Sequence, residues 1–244
     1  MNLLAFELST EACSVALWVD GDVHSRHEIA PRRHAELALP WAEALLAEAG
    51  IARSQLDAIA VGRGPGAFTG VRLGVAIAQG IALALDRPAV PVSTLAALAM
   101  RAVALGAGEG EGDSVLAAID ARMNEVYTAR YVLAVEHGAL RPMPISHEQV
   151  LAPDAVSLPE DGGAWFGAGT GFAALGGVLQ ARLPSDWRAV DAEALPHAAD
   201  VVRLAHAALL RGESVAPEKL EPAYLRNQVA LTLVQQQALR ASRA

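Results

Sequence analysis

The segment of residues 58–85 constrains the fold most strongly, because a glycine-rich loop in it joins a short apolar run to an apolar helical sequence. It reads AIAVGRGPGAFTGVRLGVAIAQGIALAL. The four glycines that open the helical part are Gly62, Gly64, Gly66 and Gly70. From residue 70 to residue 85, the only polar side chains are those of Arg72 and Gln79. A helix that is apolar on nearly all sides must be covered on nearly all sides. We expect its own sheet to cover one side and a second protein chain to cover the other.

Charge and cysteine content exclude several classes of protein. The 244 residues are 53% hydrophobic and carry a formal net charge of −8, which argues against a broad basic face that binds nucleic acid alone. Arg32 and Arg33 form a local basic pair that either lies in a solvated loop or makes a local contact with nucleic acid. The single cysteine, Cys13, excludes an internal disulfide and fits a reducing compartment. We expect a cytoplasmic protein without a signal peptide and without a membrane span.

Alternating residues and turn signals predict two α/β lobes. A β-meander opens the chain, with a turn at Asp20-Gly21. The glycine-rich, acidic segment 106–113 then separates it from a second strand–turn–strand pair. The predicted strands span residues 2–8, 13–19, 23–29, 56–61, 89–92, 115–119 and 125–132. We therefore predict an N-terminal lobe (1–107), a C-terminal lobe (108–215) and a terminal segment (216–244) whose packing against the first lobe the sequence leaves open.

Apolar residues at helical spacing predict the helices between these strands. The predicted helices span residues 34–49, 70–85, 94–105, 198–211 and 231–240. Pro40 should kink the first helix or mark its first turn, and Gly50 should end it. Ser93 is a good N-cap for the third helix.

The glycine loop has two interpretations. Backbone N–H groups at a helix N-terminus can hold a phosphate. However, no Lys-Ser/Thr pair follows the last glycine, and Ala67 stands where a dinucleotide-binding loop has its third glycine. Alternatively, the glycines let the backbone turn and let the helix pack closely. Gly70 and Gly74 inside the helix favour this second interpretation, because each costs about 1 kcal/mol relative to alanine.

Two carboxylates end the first strand of each lobe. Glu7 ends the first, and Asp120 ends the second with Arg122 in the same turn. If the lobes face each other, this pair could face one cleft and hold a metal or transfer protons; otherwise the two are unrelated turn residues. The seven histidines show neither HxxxH nor HExxH spacing, and no serine or cysteine nucleophile motif is visible. An ATP-dependent transferase or hydrolase that acts alone through Glu7 and Asp120 is the alternative to a binding protein.

Five segments together resemble one known family. They read AFELSTEACSVALW, RRHAELALPW, AVGRGPGAFTGVRLGVAIAQGIALAL, AAIDARMNEVY and EPAYLRNQVA. They are similar to TsaB (YeaZ), a bacterial subunit for making threonylcarbamoyladenosine in tRNA. The resemblance implies a two-lobed actin-like ATPase (ASKHA) fold in which each lobe opens with a β-meander. It also implies pairing with the catalytic paralogue TsaD, docking of the small ATPase TsaE on that pair, and contact with tRNA only within the complex.

Relative to TsaD-like chains, this sequence has lost the metal and phosphate motifs. Thr94 and Leu98 stand at the positions of two metal-binding histidines, and a leucine cannot ligate a metal. The turn 120–122 replaces a glycine-histidine-threonine phosphate loop, and the carboxylate of Asp120 would repel a phosphate. The Asp-Thr that TsaB-like chains usually carry is Glu7-Leu8 here. The resemblance therefore implies no metal, no cofactor and no catalytic residue of this chain's own.

These observations predict a non-catalytic scaffold subunit whose partner interface is formed by the first two helices. Helical spacing places apolar residues on one face of each helix. On the first helix they are Leu37, Trp41 and Leu45, and on the second they are Val71, Val75, Ala78, Ala82 and Leu85. Alone, the chain would cover this surface by forming a homodimer, because an exposed apolar patch of that size is costly.

Overall fold

Two mixed sheets with helices form the framework, which confirms the predicted α/β class and is consistent with the two-lobed actin-like fold. The computed structural model describes residues 1–109, 112–136, 138–159, 164–183 and 187–226. The predicted tail helix at 231–240 and part of the predicted linker lie outside the described residues.

The first sheet begins with the predicted meander. Its strands are β1 (Asn2–Glu7), β2 (Ala12–Val19), β3 (Asp22–Ile29), β4 (Ala58–Gly62) and β5 (Ala89–Val92). Their order is β3-β2-β1-β4-β5, with β1, β2 and β3 antiparallel and β1, β4 and β5 parallel. The side chains of β4 are buried throughout, as are those of β1 beyond its first residue. Both faces of this sheet are covered, which explains why these strands read as continuous apolar runs rather than as alternating ones.

Three helices follow or connect the strands of the first sheet. They are α1 (His34–Glu48), α2 (Phe68–Leu85) and α3 (Thr94–Ala99). Gly50 adopts a φ of +68° after α1, where the N–H of Ile51 donates to the carbonyl of Leu46 at 2.9 Å, so the predicted helix stop is confirmed. Ser93 caps α3 by accepting a hydrogen bond from the N–H of Ala96 at 3.2 Å, as predicted. The predicted single helix 94–105 is instead α3 followed by a 3₁₀ turn over Met100–Leu105.

The second sheet carries the other meander. Its strands are β6 (Ser114–Arg122), β7 (Glu125–Glu136), β8 (Ala139–Pro144), β9 (Gln149–Leu151), β10 (Trp165–Ala168) and β11 (Trp187–Asp191). The order is β11-β10-β6-β7-β8, and β9 pairs with β7. Helix α4 (Ala174–Arg182) belongs to this half of the chain. The strand predicted at 125–132 extends to Glu136, where it continues to pair with β8.

The last described helix returns to the first lobe, which corrects the predicted boundary at residue 215. Helix α5 (Ala198–Leu210) packs on the first sheet, with Val201, Val202 and Ala205 in one core cluster with Leu3 and Ala60. Helices α1 and α2 cover the opposite face of the same sheet. The apolar face of α5 therefore completes a three-layer lobe that local sequence patterns do not reveal.

By length and composition alone, α2 could cross a membrane. It has 18 residues and a mean hydropathy of 1.6. One side of it nevertheless packs into the protein core, where Val75, Ala78 and Ala82 contact residues of the sheet and of α1. The core helix of a globular domain can have the same length and composition as a membrane span, and the packing of α2 is typical of such a core helix.

Candidate functional site

Close approach between α2 and the end of β1 explains the glycine loop. A Cβ atom at Gly70 would overlap the carbonyl oxygen of Leu8, and one at Gly66 would overlap that of Ser9. The N–H of Ala67 donates to the carbonyl of Ser9 at 2.6 Å. Only glycine fits where backbones approach this closely. The geometry therefore supports the packing interpretation of the loop over the phosphate interpretation.

Glu7 is buried, and its carboxylate forms hydrogen bonds inside the protein. Its carboxylate accepts hydrogen bonds from the N–H and Oγ of Ser9, at 2.8 and 2.5 Å, and from Thr94 Oγ1 at 3.1 Å. Burial raises the pKa of the Glu7 carboxyl, against the lowering effect of these hydrogen bonds. The carboxyl is enclosed between β4 and α3, because a Cβ atom at Gly62 would overlap it.

The two positions that the resemblance aligns with metal-binding histidines are structural here. Thr94 and Leu98 are both fully buried in the core. Thr94 Oγ1 accepts from the N–H of Gly64 at 3.2 Å and donates to Glu7. Among the described residues, no group of three His, Cys, Asp or Glu side chains is placed to hold a metal ion. Burial also raises the pKa of the Cys13 thiol to about 11, which suits a core residue and not a nucleophile.

A cavity of about 1030 Å³ lies between the two halves of the molecule. Asp120 and Arg122 line it, together with Ser9 and Thr10 from the turn after β1. The Asp120 carboxylate accepts from the Arg122 backbone N–H at 2.8 Å and from its Nη1 at 2.9 Å, so it is tied to its own turn. Glu7 does not line this cavity. The expectation that Glu7 and Asp120 face one cleft is therefore wrong, because β1 directs Glu7 toward Thr94 in the interior.

The two sides of α2 have different surroundings, and most of the residues predicted to contact a partner lie on the side that faces the core. Val71, Val75, Ala78 and Ala82 are at most 5% exposed, and Leu45 of α1 is equally buried. The remaining predicted residues, Leu37, Trp41 and Leu85, are partly buried and pack against the same core. The five buried side chains are held by the chain's own core and are not available to a second protein, whereas Leu37, Trp41 and Leu85 are as accessible as other partly buried residues of α1 and α2.

The opposite side of α2 is the exposed one. It presents apolar and small residues over about three turns, and we call it the outer face of α2. Its residues are Leu73, Ala76, Ile77, Gly80, Leu83 and Ala84, of which Leu73 and Ile77 are half-buried and the others exposed. Leu83 is 58% exposed, and nothing lies within 4 Å of a Cβ atom built at Gly80. An exposed apolar surface on a globular protein can serve as an interaction site.

The sequence left open whether the segment after α5 packs on the first lobe, and the described part of this segment contacts both lobes. The side chain of Gln79 donates to the carbonyls of Pro217 and Leu220, both at 3.0 Å. Arg226 pairs with Glu125, and its Nη2 donates to the carbonyl of Ala121 at 3.1 Å. The polar Gln79 inside an apolar helix was the available signal, because a lone polar side chain there calls for a specific partner.

Most of the chain is similar to known proteins in sequence and in structure. Residues 23–232 match the family model described as TsaD, tRNA N6-adenosine threonylcarbamoyltransferase. The tRNA threonylcarbamoyladenosine biosynthesis protein TsaB of Escherichia coli is 41% identical over 237 residues, covering 94% of this chain and 96% of that protein. The TsaB protein of Haemophilus influenzae is 40% identical, covering 94% and 95%. The solved structure of YeaZ from Pseudomonas aeruginosa is 48% identical, covers 92% of this chain and 99% of that one, and superposes with a TM-score of 0.81.

Proposed function

Because this chain belongs to the TsaB family of tRNA threonylcarbamoyladenosine biosynthesis proteins, we propose that it is a non-catalytic scaffold subunit of the complex that carries out this modification. In this role it pairs with a catalytic TsaD-type subunit, helps to recruit the ATPase TsaE and contacts tRNA only within the assembly. The transfer of the threonylcarbamoyl group to the adenosine 3′ of the anticodon then takes place on the partner. Such a complex acts in the cytoplasm, where its tRNA substrate is.

The main support for this proposal is the outer face of α2. A stable protein interface has an apolar, closely packed centre. Ala76, Gly80 and Ala84 recur at spacings of four residues on the exposed side, so a partner helix can approach the backbone closely there. Leu39 of the neighbouring helix α1 is also exposed, at 46%. The proposed interface therefore stays on the two helices that the sequence indicated, but it uses their outward sides.

The absence of catalysis is supported by the buried Thr94 and Leu98 and by the turn at Asp120. Thr94 and Leu98 are fully buried, and neither side chain supplies the imidazole ligand that a metal site at these positions would need. Asp120 is paired with Arg122 in its own turn, and its negative charge disfavours a phosphate beside it. A scaffold needs neither a metal site nor a phosphate-binding loop, whereas a transferase of the TsaD type acting alone would need both.

The outer face also favours self-association when the partner is absent. An exposed apolar surface is costly in water, and a second copy of the chain presents a surface of the same chemistry. The same face would then be used in turn by the homodimer and by the heterodimer. The two assemblies should therefore be mutually exclusive, and the catalytic subunit should displace the second copy.

Substitution on the outer face tests the proposal. The variant Ala76→Arg places a charge at the centre of the face, so light scattering on a sizing column should show a folded monomer that does not join the TsaD-type subunit. Val135→Arg is the matched control, because Val135 is 70% exposed on β7 of the other lobe. A heterodimer that forms normally with Ala76→Arg would refute the assignment of this face.

The cavity between the lobes favours one alternative, an ATP-dependent transferase or hydrolase. Its volume of about 1030 Å³ is enough to hold a nucleotide. Calorimetric titration of the isolated chain with MgATP distinguishes the two functions. The scaffold role predicts no tight binding by the wild-type chain, whereas tight binding that is lost in Asp120→Ala would favour the alternative.

A further inference from the structure

The exposed aromatic side chains of this protein lie together. The chain has four phenylalanines, three tyrosines and four tryptophans. In the described part of the chain, which includes all of these residues, only Phe68 and Tyr224 are exposed, at 58% and 53%. Their ring centroids are 6.2 Å apart although they are far apart in sequence. Both also line the cavity between the lobes, so the pair lies at its edge.

An arginine joins the two rings. The guanidinium carbon of Arg72 lies 3.7 Å from the centroid of the Phe68 ring and 5.4 Å from that of Tyr224. Arg72 Nε donates to the Tyr224 hydroxyl at 2.8 Å, which fixes the plane of the guanidinium. Two rings and one guanidinium thus form a preorganised group, which we call the Phe68–Arg72–Tyr224 platform. Flat groups of this kind are what unpaired nucleic-acid bases stack on.

The platform carries a guanidinium charge that has no carboxylate partner among the described residues. Of the sixteen arginines among the described residues, eleven form ion pairs with carboxylates. Of the other five, three donate to backbone carbonyls, namely Arg87, Arg130 and Arg182. Arg72 donates to the Tyr224 hydroxyl, and Arg32, which lines the same cavity, has no carboxylate partner among the described residues. In a chain with a net charge of −8, unpaired cations beside exposed rings indicate an anionic, aromatic ligand.

We infer that the Phe68–Arg72–Tyr224 platform, with Arg32 on the same cavity, is a docking surface for the unpaired bases of an RNA loop. The rings and the guanidinium stack on bases, and the arginine charges face the backbone phosphates. This inference rests on the proposed function, since a tRNA substrate presents such a loop. The platform adds affinity without reading sequence, because every base has a flat face.

Binding of an unmodified tRNA transcript tests this inference. The transcript is titrated by fluorescence anisotropy with the complex of this chain and the TsaD-type subunit, after assembly has been confirmed by light scattering. Phe68→Ala combined with Tyr224→Ala should weaken binding about tenfold or more, as the loss of stacked bases predicts. Arg32→Gln should weaken it less and should reduce its dependence on salt concentration. The matched control is Arg53→Gln, because Arg53 is exposed and lies away from the cavity.

Each other outcome has a distinct meaning. An intact complex of the double variant that binds RNA within twofold of the wild type overturns the inference. A double variant that fails to assemble also overturns it, because the platform would then be a protein contact. Failure of the proposed function would appear earlier, as the absence of a complex with the wild-type chain. In that case ultraviolet cross-linking of the transcript to the chain alone still tests the platform, since peptides containing Phe68 or Tyr224 should carry the RNA adduct.

Discussion

The inner and outer sides of α2 have nearly the same composition, but the inner side is buried and the outer side is largely exposed. The inner side, with Val75, Ala78 and Ala82, is buried in the core cluster that also contains residues of the first sheet and of α1. The outer side, with Ala76, Gly80 and Leu83, meets solvent in the single chain. The comparison teaches that hydropathy predicts how much of a helix must be covered, but not which part is covered by the same chain. The four predictions below test this difference, from the largest expected effect to the smallest.

The largest contrast is expected between the free energies of unfolding of the variants Ala78→Arg and Ala76→Arg. Ala78 is fully buried, so an arginine there combines overpacking with an unpaired buried charge and should cost about 4 kcal/mol or more. Ala76 is exposed, and the same substitution should change the free energy of unfolding by less than about 0.5 kcal/mol. Urea denaturation followed by circular dichroism measures both. A well-folded Ala78→Arg variant would show that the inner side is not core.

Gly70 and Gly80 give a second contrast on the same helix. A methyl group at Gly70 overlaps the Leu8 carbonyl, so Gly70→Ala should destabilise the protein by about 1–3 kcal/mol. Gly80 has open space, and Gly80→Ala should stabilise the isolated chain by up to about 1 kcal/mol. If a partner helix packs closely on the outer face, Gly80→Ala should at the same time weaken assembly in light scattering. Equal stability changes at the two glycines would contradict the assignment of sides.

Glu7 should make stability depend on pH. Its pKa is raised by burial, so the folded state binds a proton more tightly than the unfolded state. The stabilisation from this proton is complete below the unfolded pKa and is lost as the pH rises through the folded pKa. The variant Glu7→Gln keeps the size of the side chain and removes this titration. Denaturation curves over a pH series should therefore show the stability of the wild type falling relative to Glu7→Gln as the pH rises above the unfolded value. A constant difference would exclude a raised pKa.

Asp120 and Arg122 should matter least to folding. Arg122 is 83% exposed at its side chain, and exposed pairs contribute between zero and about 1 kcal/mol. Asp120→Asn should therefore leave both the melting temperature and assembly close to those of the wild type. Loss of heterodimer in this variant would move the interface from α2 to the cavity between the lobes.

Local patterns predicted the elements of the fold well, because each element has its own periodicity and stop signals. The meander, Gly50 as a helix stop and Ser93 as a cap all follow from residues within a few positions of each other. What sequence could not predict depends on contacts between distant residues. The return of α5 to the first sheet and the hydrogen bonds from Gln79 to the terminal segment are examples.

The candidate site was predicted only in part, for physical reasons that differ between its residues. The two helices proposed for the interface were chosen for their apolar content. A helix that is apolar on all sides has no polar face in its sequence, so the sequence does not indicate which side points outward. Glu7 was assigned to a cleft because it ends the first strand of its lobe, as Asp120 ends the first strand of the other. The hydrogen bonds from Ser9 and Thr94 that stabilise Glu7 in the interior are visible only in the folded structure. Tyr224 lies in an aperiodic segment, so its pairing with Phe68 is visible only in three dimensions.

Light scattering on a sizing column, for this chain alone and mixed with the TsaD-type subunit of the same organism, tests the central claim most directly. The scaffold role predicts a homodimer that is replaced by a stable one-to-one complex, with Ala76→Arg blocking both assemblies while remaining folded. A monomer that forms no complex, or an Ala76→Arg variant that assembles like the wild type, would contradict the account.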